Sequence, residues 1–292
     1  KKTIIMKTKI FKQNPIYKKR NFVLGILSLT LLVIFNGITS CSTDETQTVA
    51  NFHTITMQDE FDQDGAPNSS IWTYDIGGNG WGNNELQYYT DRSQNVAVQN
   101  GYLIITAEKE NFEEASYTSA RILSKGLFEQ AYGRFEARIK LPWGQGIWPA
   151  FWLLGGDIDT NNWPNCGEID IMEYRGQNPT MVLGTVHGPG YSGGESISKS
   201  YSLTNDRFDT GFHVFGIEWT PDYINYYVDD VLYNQITPED VTGEWVFNKP
   251  FFIIINLAVG GSFVGSPNAE TVFPQTMLVD YVRVYQADFI NN

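Results

Sequence analysis

Alternation of apolar and polar residues is the feature that most limits what this chain can form. In residues 132–141, small or apolar residues occupy every second position and charged residues lie between them. Successive side chains of a β-strand point to opposite faces, so this stretch predicts a strand with one buried face. Residues 278–285 show the same period, and residues 251–257 are apolar except for Asn256, as expected for a central strand covered on both faces.

Turn signals separate these stretches at short intervals. Residues 223–228 alternate, Asp229-Asp230 provides a turn, and residues 231–233 return, which predicts a β-hairpin. Glycine and proline are frequent, and no stretch shows a sustained helical period of 3.6 residues. Many short strands with frequent turns predict an all-β protein, a β-sandwich. Residues 188–200, rich in Gly and Ser, are expected to form a mobile loop.

The first 41 residues have the pattern of a bacterial export signal. A basic start is followed by an apolar run over residues 22–35, and Cys41 follows the small residues Thr39 and Ser40. This order predicts a lipoprotein signal peptide (residues 1–41), with Cys41 as the lipidated N-terminus of the mature protein. The alternative is a single transmembrane helix, but the apolar run is shorter than the roughly 20 residues that a span needs.

This signal sets the expected domain organisation and location. Residues 42–50 are polar and predict a flexible tether, and residues 51–292 predict one catalytic β-sandwich domain. The exported protein is expected in the cell envelope, anchored to the outer membrane or the cell surface. After residue 41 the sequence contains one cysteine, Cys166, so no intramolecular disulfide is available to the domain.

The charge balance excludes nucleic acid as a partner. The 292-residue chain has 33 acidic and 20 basic residues. Eight basic residues and no acidic ones lie in residues 1–41, so removing that segment leaves 12 basic against 33 acidic residues, a formal net charge of −21. A surface of this sign repels nucleic acid and anionic lipid head groups. Membrane contact is therefore expected through the lipid anchor alone, and the domain is expected to be a monomer.

One predicted strand carries three carboxylic acids in the sequence Glu168-Ile169-Asp170-Ile171-Met172-Glu173. Strict alternation places Glu168 and Asp170 on one face but would turn Glu173 into the core, where an unpaired carboxylate is very costly. A β-bulge with one extra residue at Met172 would return Glu173 to the face of the other acids. The three acids would then line a cleft floor.

Aligned carboxyl groups are typical of glycoside hydrolysis. Retaining hydrolysis uses one ionised carboxylate as nucleophile and one protonated carboxyl group as acid, and neighbouring negative charge raises the pKa of the acid. The alternative, a solvated acidic edge strand, would need no aromatic neighbours. Trp148, Trp152 and Trp163 precede the acids, and flat aromatic side chains match the apolar faces of sugar rings. These tryptophans are therefore candidate substrate-binding residues.

At this point the chain resembles glycoside hydrolase family 16, most closely its bacterial laminarinases, which are endo-1,3-β-glucanases. The resemblance covers about residues 55–286 and rests on four motifs: WPAFWLLG, NWPNCGEIDIMEYRG, GTVHG and NLAVGG. It implies a concanavalin-like jelly-roll β-sandwich whose concave sheet forms the substrate cleft. It also implies retention of configuration on β-1,3-glucan. With the extra residue Met172, the motif E-I-D-I-M-E resembles that of laminarinases, agarases and carrageenases. The motif of the mixed-linkage glucanases resembles E-I-D-I-E, without the extra residue.

The resemblance also implies roles for individual residues. Glu168 matches the nucleophile, Asp170 its helper, and Glu173 the acid/base. His187 in GTVHG matches a cleft histidine. Two further sugar-binding residues are implied, Asn84 in GWGNNELQYY and Arg121 in YTSARI.

The chemistry itself needs no cofactor. Family members often hold a structural calcium ion on the convex face, and here its ligands would be the carboxylates of Glu60 and Asp280 and the carbonyl of Gly101. Hard cations prefer such oxygen ligands.

Two alternative functions remain open from the sequence. One is a family 16 enzyme acting on another glycan: mixed-linkage glucan, agarose or carrageenan. The other is a non-catalytic surface lectin on the same sandwich, which would need the tryptophans but not three aligned acids.

Overall fold

The computed structural model describes residues 50–289. The predicted signal peptide, Cys41 and residues 42–49 of the predicted tether lie outside the described residues. Within residues 50–289 the chain forms short 3-10 helices at Gly80–Gly82 and Gly193–Glu195. Its strands are β1 (Ala50–Asn51), β2 (Ile55–Asp59), β3 (Thr73–Tyr74), β4 (Gln87–Tyr89), β5 (Val96–Gln99), β6 (Tyr102–Ala107), β7 (Tyr117–Ser119), β8 (Arg121–Leu123), β9 (Gly133–Lys140), β10 (Ile147–Gly155), β11 (Glu168–Tyr174), β12 (Met181–His187), β13 (Ile197–Ser202), β14 (His213–Trp219), β15 (Ile224–Val228), β16 (Val231–Ile236), β17 (Phe251–Val259), β18 (Gln275–Tyr285) and β19 (Asp288–Phe289).

Two antiparallel sheets form the predicted β-sandwich. The first has seven strands in the order β13-β12-β11-β10-β17-β8-β3, and the second has eight, including β2, around β16-β15-β14-β9-β18-β6-β5. Buried side chains from both sheets form one continuous hydrophobic cluster between them. The all-β jelly-roll prediction is therefore confirmed. No helix within residues 50–289 is long and apolar enough to cross a membrane.

The strands predicted from alternation are present. In β9, Phe135, Ala137 and Ile139 are fully buried, and the charged residues between them lie on the opposite face, where Arg134 and Tyr285 cover Glu136. All nine residues of β17 are buried, because this strand lies between β10 and β8 with both faces covered. The turn between β15 and β16 places Asp229 and Asp230 at positive φ (49° and 62°), as hairpin turns of two residues require.

The prediction of a loop over residues 188–200 is wrong for its last four residues. Residues from Ile197 onward form β13, which pairs with β12 alone and so is the edge of the seven-stranded sheet. Most of its side chains are exposed, and only Ile197 and Tyr201 are partly buried. An edge strand with little to bury does not need an apolar face, so its Ser-rich sequence carried no strand signal.

Candidate active site

A β-bulge interrupts β11 where the sequence predicted one. Across to β10, Asp170 pairs with Trp152 and Met172 pairs with Phe151, so two neighbours on β10 face residues two apart on β11. The register between β11 and β12 also shifts between Asp170 and Glu173. One extra residue is therefore accommodated at Ile171–Met172, which confirms the predicted bulge.

The bulge separates apolar from acidic side chains on this strand. Ile169, Ile171 and Met172 are at most 2% exposed and belong to the core between the sheets. The three acids occupy the other face, where Glu168 and Glu173 remain partly accessible and Asp170 is 4% exposed. The sheet face turned away from the core thus carries all three predicted catalytic acids.

The position of Gly167 fixes where this acidic strand begins. Its φ is +77°, and a Cβ atom added there would lie 2.8 Å from the Phe251 ring. Only glycine fits both the backbone conformation and the close approach. The chain can therefore turn sharply into β11 directly before Glu168.

Burial raises the pKa values of all three carboxyl groups well above their usual range, and repulsion adds to the rise for Glu168 and Glu173. Burial is the largest cause for each of them. The negative charge of Asp170 is the next cause for both Glu168 and Glu173. Since the three groups titrate as a coupled set, they cannot all be ionised near neutral pH, and the cluster retains at least one proton. One acid and one base can therefore coexist in this cleft.

His187 lies directly against the acids. Its Nε2 is 3.2 Å from Asp170 Oδ2 and 3.6 Å from Glu168 Oε1. Its Nδ1 accepts a hydrogen bond of 3.1 Å from the backbone N–H of Gly193. Because Nδ1 is an acceptor, the neutral imidazole carries its proton on Nε2, the ring nitrogen that lies nearer the carboxylates.

The three predicted tryptophans share this side of the sheet but differ in accessibility. Trp163 is 44% exposed, and its Nε1–H donates a hydrogen bond of 3.0 Å to Glu168 Oε2. Trp152 is partly buried and Trp148 is 9% exposed, packed against Phe263. Trp163 and Trp152 therefore offer more surface to a sugar ring than Trp148 does.

Arg121 and Asn84 lie on neighbouring elements of the same region. The Arg121 guanidinium is 4.7 Å from the Trp152 ring centroid and 5.1 Å from that of Trp81, and it pairs with Asp75 at 2.9 Å. Asn84 is exposed at φ 57° and donates to Ser262 Oγ at 3.0 Å. Both side chains retain polar groups that can reach solvent in the described structure, as sugar binding requires.

Several residues of this region were not identified from the sequence. Trp81 has a positive φ of 47°, uncommon for a bulky residue, and stacks on Arg121. Glu85 and Tyr89 are buried beneath it, and Asn256 bonds to Trp152. Glu85 and Tyr89 belong to the motif GWGNNELQYY, but spacing alone could not show that their side chains point inward.

Strand pairing brings the three predicted calcium ligands to one part of the eight-stranded sheet. Asp59, next to Glu60, pairs with Val282, and Leu103, close to Gly101, pairs with Val279. Both carboxylates are engaged by arginine, since Arg283 binds Glu60 at 2.7 Å and Arg138 binds Asp280 at 2.5 Å. The oxygen donors suit a hard cation, which would compete with these two guanidinium groups.

A second group of residues has the spacing of metal ligands. Ligand atoms of Glu168, Asp170 and His187 lie within 4.8 Å of one another. They are the acids and the histidine of the cleft, and their arrangement is accounted for by proton transfer.

Comparison with known proteins agrees with this geometry. Over 267 residues the chain is 43% identical to a β-glucanase of Rhodothermus marinus, a match that covers 88% of this chain and 93% of the relative. The solved catalytic domain of an endo-1,3-β-glucanase (laminarinase) from Thermotoga petrophila superimposes with a TM-score of 0.78 at 47% identity, covering 82% of this chain and 99% of that one. An endo-β-1,3-glucanase from Pyrococcus furiosus gives a TM-score of 0.77 at 47% identity, covering 80% and 95%.

The family model of glycosyl hydrolases family 16 matches residues 81–283, which include all three acids and most of both sheets. The match extends over more than half of the chain, and the relatives are aligned over nearly their whole length. This chain therefore belongs to glycosyl hydrolase family 16 and is a glycoside hydrolase.

Proposed function

We propose that this enzyme cleaves β-1,3-glucan internally and with retention of configuration. The observation that carries the proposal is the bulged strand β11, which sets Glu168 and Glu173 on either side of Asp170 on one face. The substrate assignment rests on similarity to endo-1,3-β-glucanases from two organisms, at 47% identity in both cases. A non-catalytic lectin would gain nothing from three acids whose charges repel one another.

The surroundings of the two glutamates support different roles. Burial and the charge of Asp170 raise the pKa of Glu168, and the charges of His187 and Arg121 offset part of that rise. Glu168 also accepts the Trp163 N–H bond. These interactions favour the ionised form, which agrees with the nucleophile role implied by the family motif.

Glu173 pairs across the sheet with Ala150 on β10 and Leu183 on β12. Burial and the charge of Asp170 raise its pKa, while His187, Trp148 and Arg175 offset part of that rise. A raised pKa suits a general acid, and the family motif implies that role for Glu173.

The reaction then proceeds in two displacements. Glu173 gives its proton to the glycosidic oxygen while the Glu168 carboxylate attacks the anomeric carbon, which releases the leaving chain and forms a glycosyl-enzyme. Glu173, now ionised, takes a proton from water, and the hydroxide oxygen displaces Glu168. Asp170, whose Oδ2 lies 3.2 Å from His187 Nε2, forms a side-chain hydrogen bond with Glu168 and moderates the charge of Glu168 as the bond to the sugar forms and breaks.

A substrate panel tests this function. The domain from Ala50 onward should release short oligosaccharides from laminarin faster than from lichenan, and act little on agarose or carrageenan. The anomer that NMR detects first should be β. Faster cleavage of lichenan, agarose or carrageenan would transfer the assignment to that glycan, an α-anomer would refute retention, and binding without hydrolysis would favour the lectin alternative.

We also propose that the enzyme is exported and anchored by lipid at Cys41, on the strength of the signal pattern alone. Cys41→Ala should release the protein from the membrane fraction or block its maturation. Unchanged membrane fractionation would contradict the anchor. Size-exclusion chromatography of the domain tests the expected monomer.

The calcium site is a further proposal that concerns stability rather than chemistry. If Glu60, Gly101 and Asp280 hold Ca²⁺, calcium should raise the Tm of the metal-free domain and Asp280→Asn should remove that increase. An unchanged Tm on adding calcium to metal-free protein would exclude the site. Activity measured at a temperature well below Tm should be independent of the ion.

A further inference from the structure

A fourth buried carboxylate lies near the cleft and has no part in the mechanism above. Glu85 is 9% exposed, and its Oε2 accepts hydrogen bonds from Gln87 Nε2 at 2.6 Å and from the Tyr89 hydroxyl at 3.2 Å. Asn83 Nδ2 reaches its Oε1 at 3.4 Å. A carboxylate that receives three donors is bound in a fixed orientation, because it supplies only acceptors.

Tyr89 extends this arrangement toward the substrate-binding face. Tyr89 is completely buried, and its oxygen accepts a bond of 3.2 Å from Asn256 Nδ2. Asn256 is 6% exposed, and its Oδ1 accepts the indole N–H of Trp152 at 2.7 Å. Glu85, Tyr89, Asn256 and Trp152 thus form one continuous hydrogen-bond chain, which we call the Glu85 chain.

The direction of every bond in the Glu85 chain is determined by its ends. An indole N–H can only donate, so the amide oxygen of Asn256 must face Trp152 and its amide nitrogen must face Tyr89. The Tyr89 oxygen then accepts, and its own proton must go to an acceptor, which Glu85 supplies. The carboxylate at one end therefore fixes the orientation of the amide that holds the indole at the other end.

The backbone holds Glu85 in place relative to β17, which carries Asn256. Leu86 N–H donates to the carbonyl of Val259 at 2.8 Å, and Val259 N–H donates to Gln87 Oε1 at 2.7 Å. These bonds fasten the two residues that follow Glu85 to the end of β17. The two ends of the Glu85 chain therefore cannot move independently.

Trp152 has a direct relation to the reacting groups. It pairs with Asp170 across β10 and β11, and the Arg121 guanidinium lies 4.7 Å from its ring centroid. Arg121 holds one face of the indole while Asn256 holds its edge, so both the tilt and the in-plane rotation of the ring are fixed. Trp152 also packs against the apolar cluster that includes Leu154 and Ile254, and the part of the ring that stays accessible is what a sugar can contact.

We propose that Glu85 is a positioning residue that fixes the plane of the Trp152 indole through Tyr89 and Asn256, and so presets the sugar platform next to the catalytic acids. This inference rests on the proposed substrate-binding role of Trp152. A sugar resting on this platform is bound alike before and during bond cleavage, so loss of its orientation should raise KM and leave kcat nearly unchanged.

The hydroxyl of Tyr89 offers a nearly isosteric test. Tyr89→Phe removes the bonds to Glu85 and Asn256 and should raise KM for laminarin roughly three- to tenfold, with kcat within about twofold of the unmodified enzyme. Glu85→Gln keeps one acceptor oxygen and should act in the same direction by a smaller factor. Tyr285→Phe is the matched control, because Tyr285 donates to the buried carboxylate of Glu136 at 3.3 Å in the other sheet.

A double-mutant cycle shows whether the effect passes through Trp152. In a Trp152→Phe background, which has no indole N–H to orient, Tyr89→Phe should change KM by less than about twofold. The full three- to tenfold increase in that background would overturn the proposal, as would a fall in kcat at unchanged KM. The cycle compares ratios of KM values measured on one glycan, whichever one the unmodified enzyme cleaves. A failed cycle would therefore refute the positioning role without bearing on the β-1,3-glucan assignment.

A spectroscopic measurement tests the Glu85 chain without substrate. The protein has eight tryptophans, and the indole N–H resonance missing in Trp152→Phe identifies that of Trp152. Tyr89→Phe and Glu85→Gln should both shift this resonance, while Tyr285→Phe should leave it in place. A resonance unmoved by Tyr89→Phe in a folded protein would refute the positioning role.

Discussion

The hydrogen bond from Trp163 to Glu168 offers the most direct test of how the nucleophile is kept ionised. Trp163→Phe keeps an aromatic ring at the cleft but removes the N–H group that lies 3.0 Å from Glu168 Oε2. A hydrogen bond to a charged group contributes roughly 1.5–3 kcal/mol when fully buried. Trp163 is 44% exposed, so water replaces part of the interaction and about 1 kcal/mol remains.

This free energy converts into a shift of the pH profile. One pKa unit corresponds to about 1.36 kcal/mol, so the pKa of Glu168 should rise by roughly 0.5–1 unit. The nucleophile must be ionised, and the acidic limb of kcat/KM should therefore move by the same amount toward higher pH. At a pH well below this limb, the variant should be roughly three- to tenfold less active, and on the plateau it should lose no more than about twofold.

Laminarin hydrolysis followed from acidic to alkaline pH measures both limbs. Trp143→Phe is the control, because Trp143 is a similarly exposed tryptophan (49%) whose ring faces the Arg207 guanidinium instead of a catalytic acid. Its profile should superimpose on that of the unmodified enzyme. An acidic limb that stays in place in Trp163→Phe, or moves toward lower pH, would show that this bond does not stabilise the charge of Glu168.

Four further outcomes are expected. The pKa of Asp170 is raised in the folded protein, so its ionisation destabilises the fold as pH rises from about 4 through that raised value. Asp170→Asn should therefore increase the free energy of unfolding at neutral pH by roughly 1–2 kcal/mol, measured as a higher Tm. Below about pH 4 the substitution should give no gain. Azide should restore turnover to Glu168→Ala as an α-glycosyl azide and, with an activated leaving group, to Glu173→Ala as a β-glycosyl azide; exchanged products would reverse the two roles. Deletion of Met172 should lower laminarin hydrolysis on the order of a hundredfold, because it shifts Glu173 relative to the other acids. Met172→Ala keeps the spacing and should mainly reduce the free energy of unfolding, by about 2–5 kcal/mol in thermal or denaturant unfolding. Equal losses of hydrolysis in the two variants would contradict a spacing role for Met172. Burial raises the pKa of the Cys166 thiol to about 11, so iodoacetamide at about pH 8 should leave the folded enzyme unlabelled and active, and rapid labelling detected by mass spectrometry would contradict this.

The elements that could be predicted from the sequence are those whose burial is one-sided or complete. Strand β9 alternates because one face contacts the core, and β17 is apolar at every position except Asn256 because it has strands on both sides and cover on both faces. Strand β13 was missed because an edge strand buries too little to impose a pattern. Composition thus reflects burial, and backbone pairing without burial leaves little trace in the sequence.

The same distinction holds for the cleft. The positions of Glu168, Asp170 and Glu173 followed from alternation and the cost of a buried carboxylate, both of which act within one strand. Glu85 and Asn256 are separated by 171 positions in the chain, and their link through Tyr89 depends on how loop and sheet pack together. No local pattern encodes such a contact, and a single sequence provides no covariation from which to infer it.

The bulge in β11 reconciles two demands that a regular strand cannot meet together. Catalysis needs Glu168 and Glu173 on the same face, separated by enough chain to contact opposite sides of a glycosidic bond. The fold needs apolar side chains opposite them, because fully burying each of Ile169, Ile171 and Met172 contributes roughly 1.5–3 kcal/mol, which offsets the repulsion among three acids. Without the bulge, strict alternation would place Met172 on the face of the acids and Glu173 on the face of the isoleucines. The strand would then expose a large apolar side chain beside the acids and bury a catalytic carboxylate. With one extra residue, β11 presents three acids on one side and three core residues on the other, so the feature that sets the catalytic spacing also stabilises the strand that carries it.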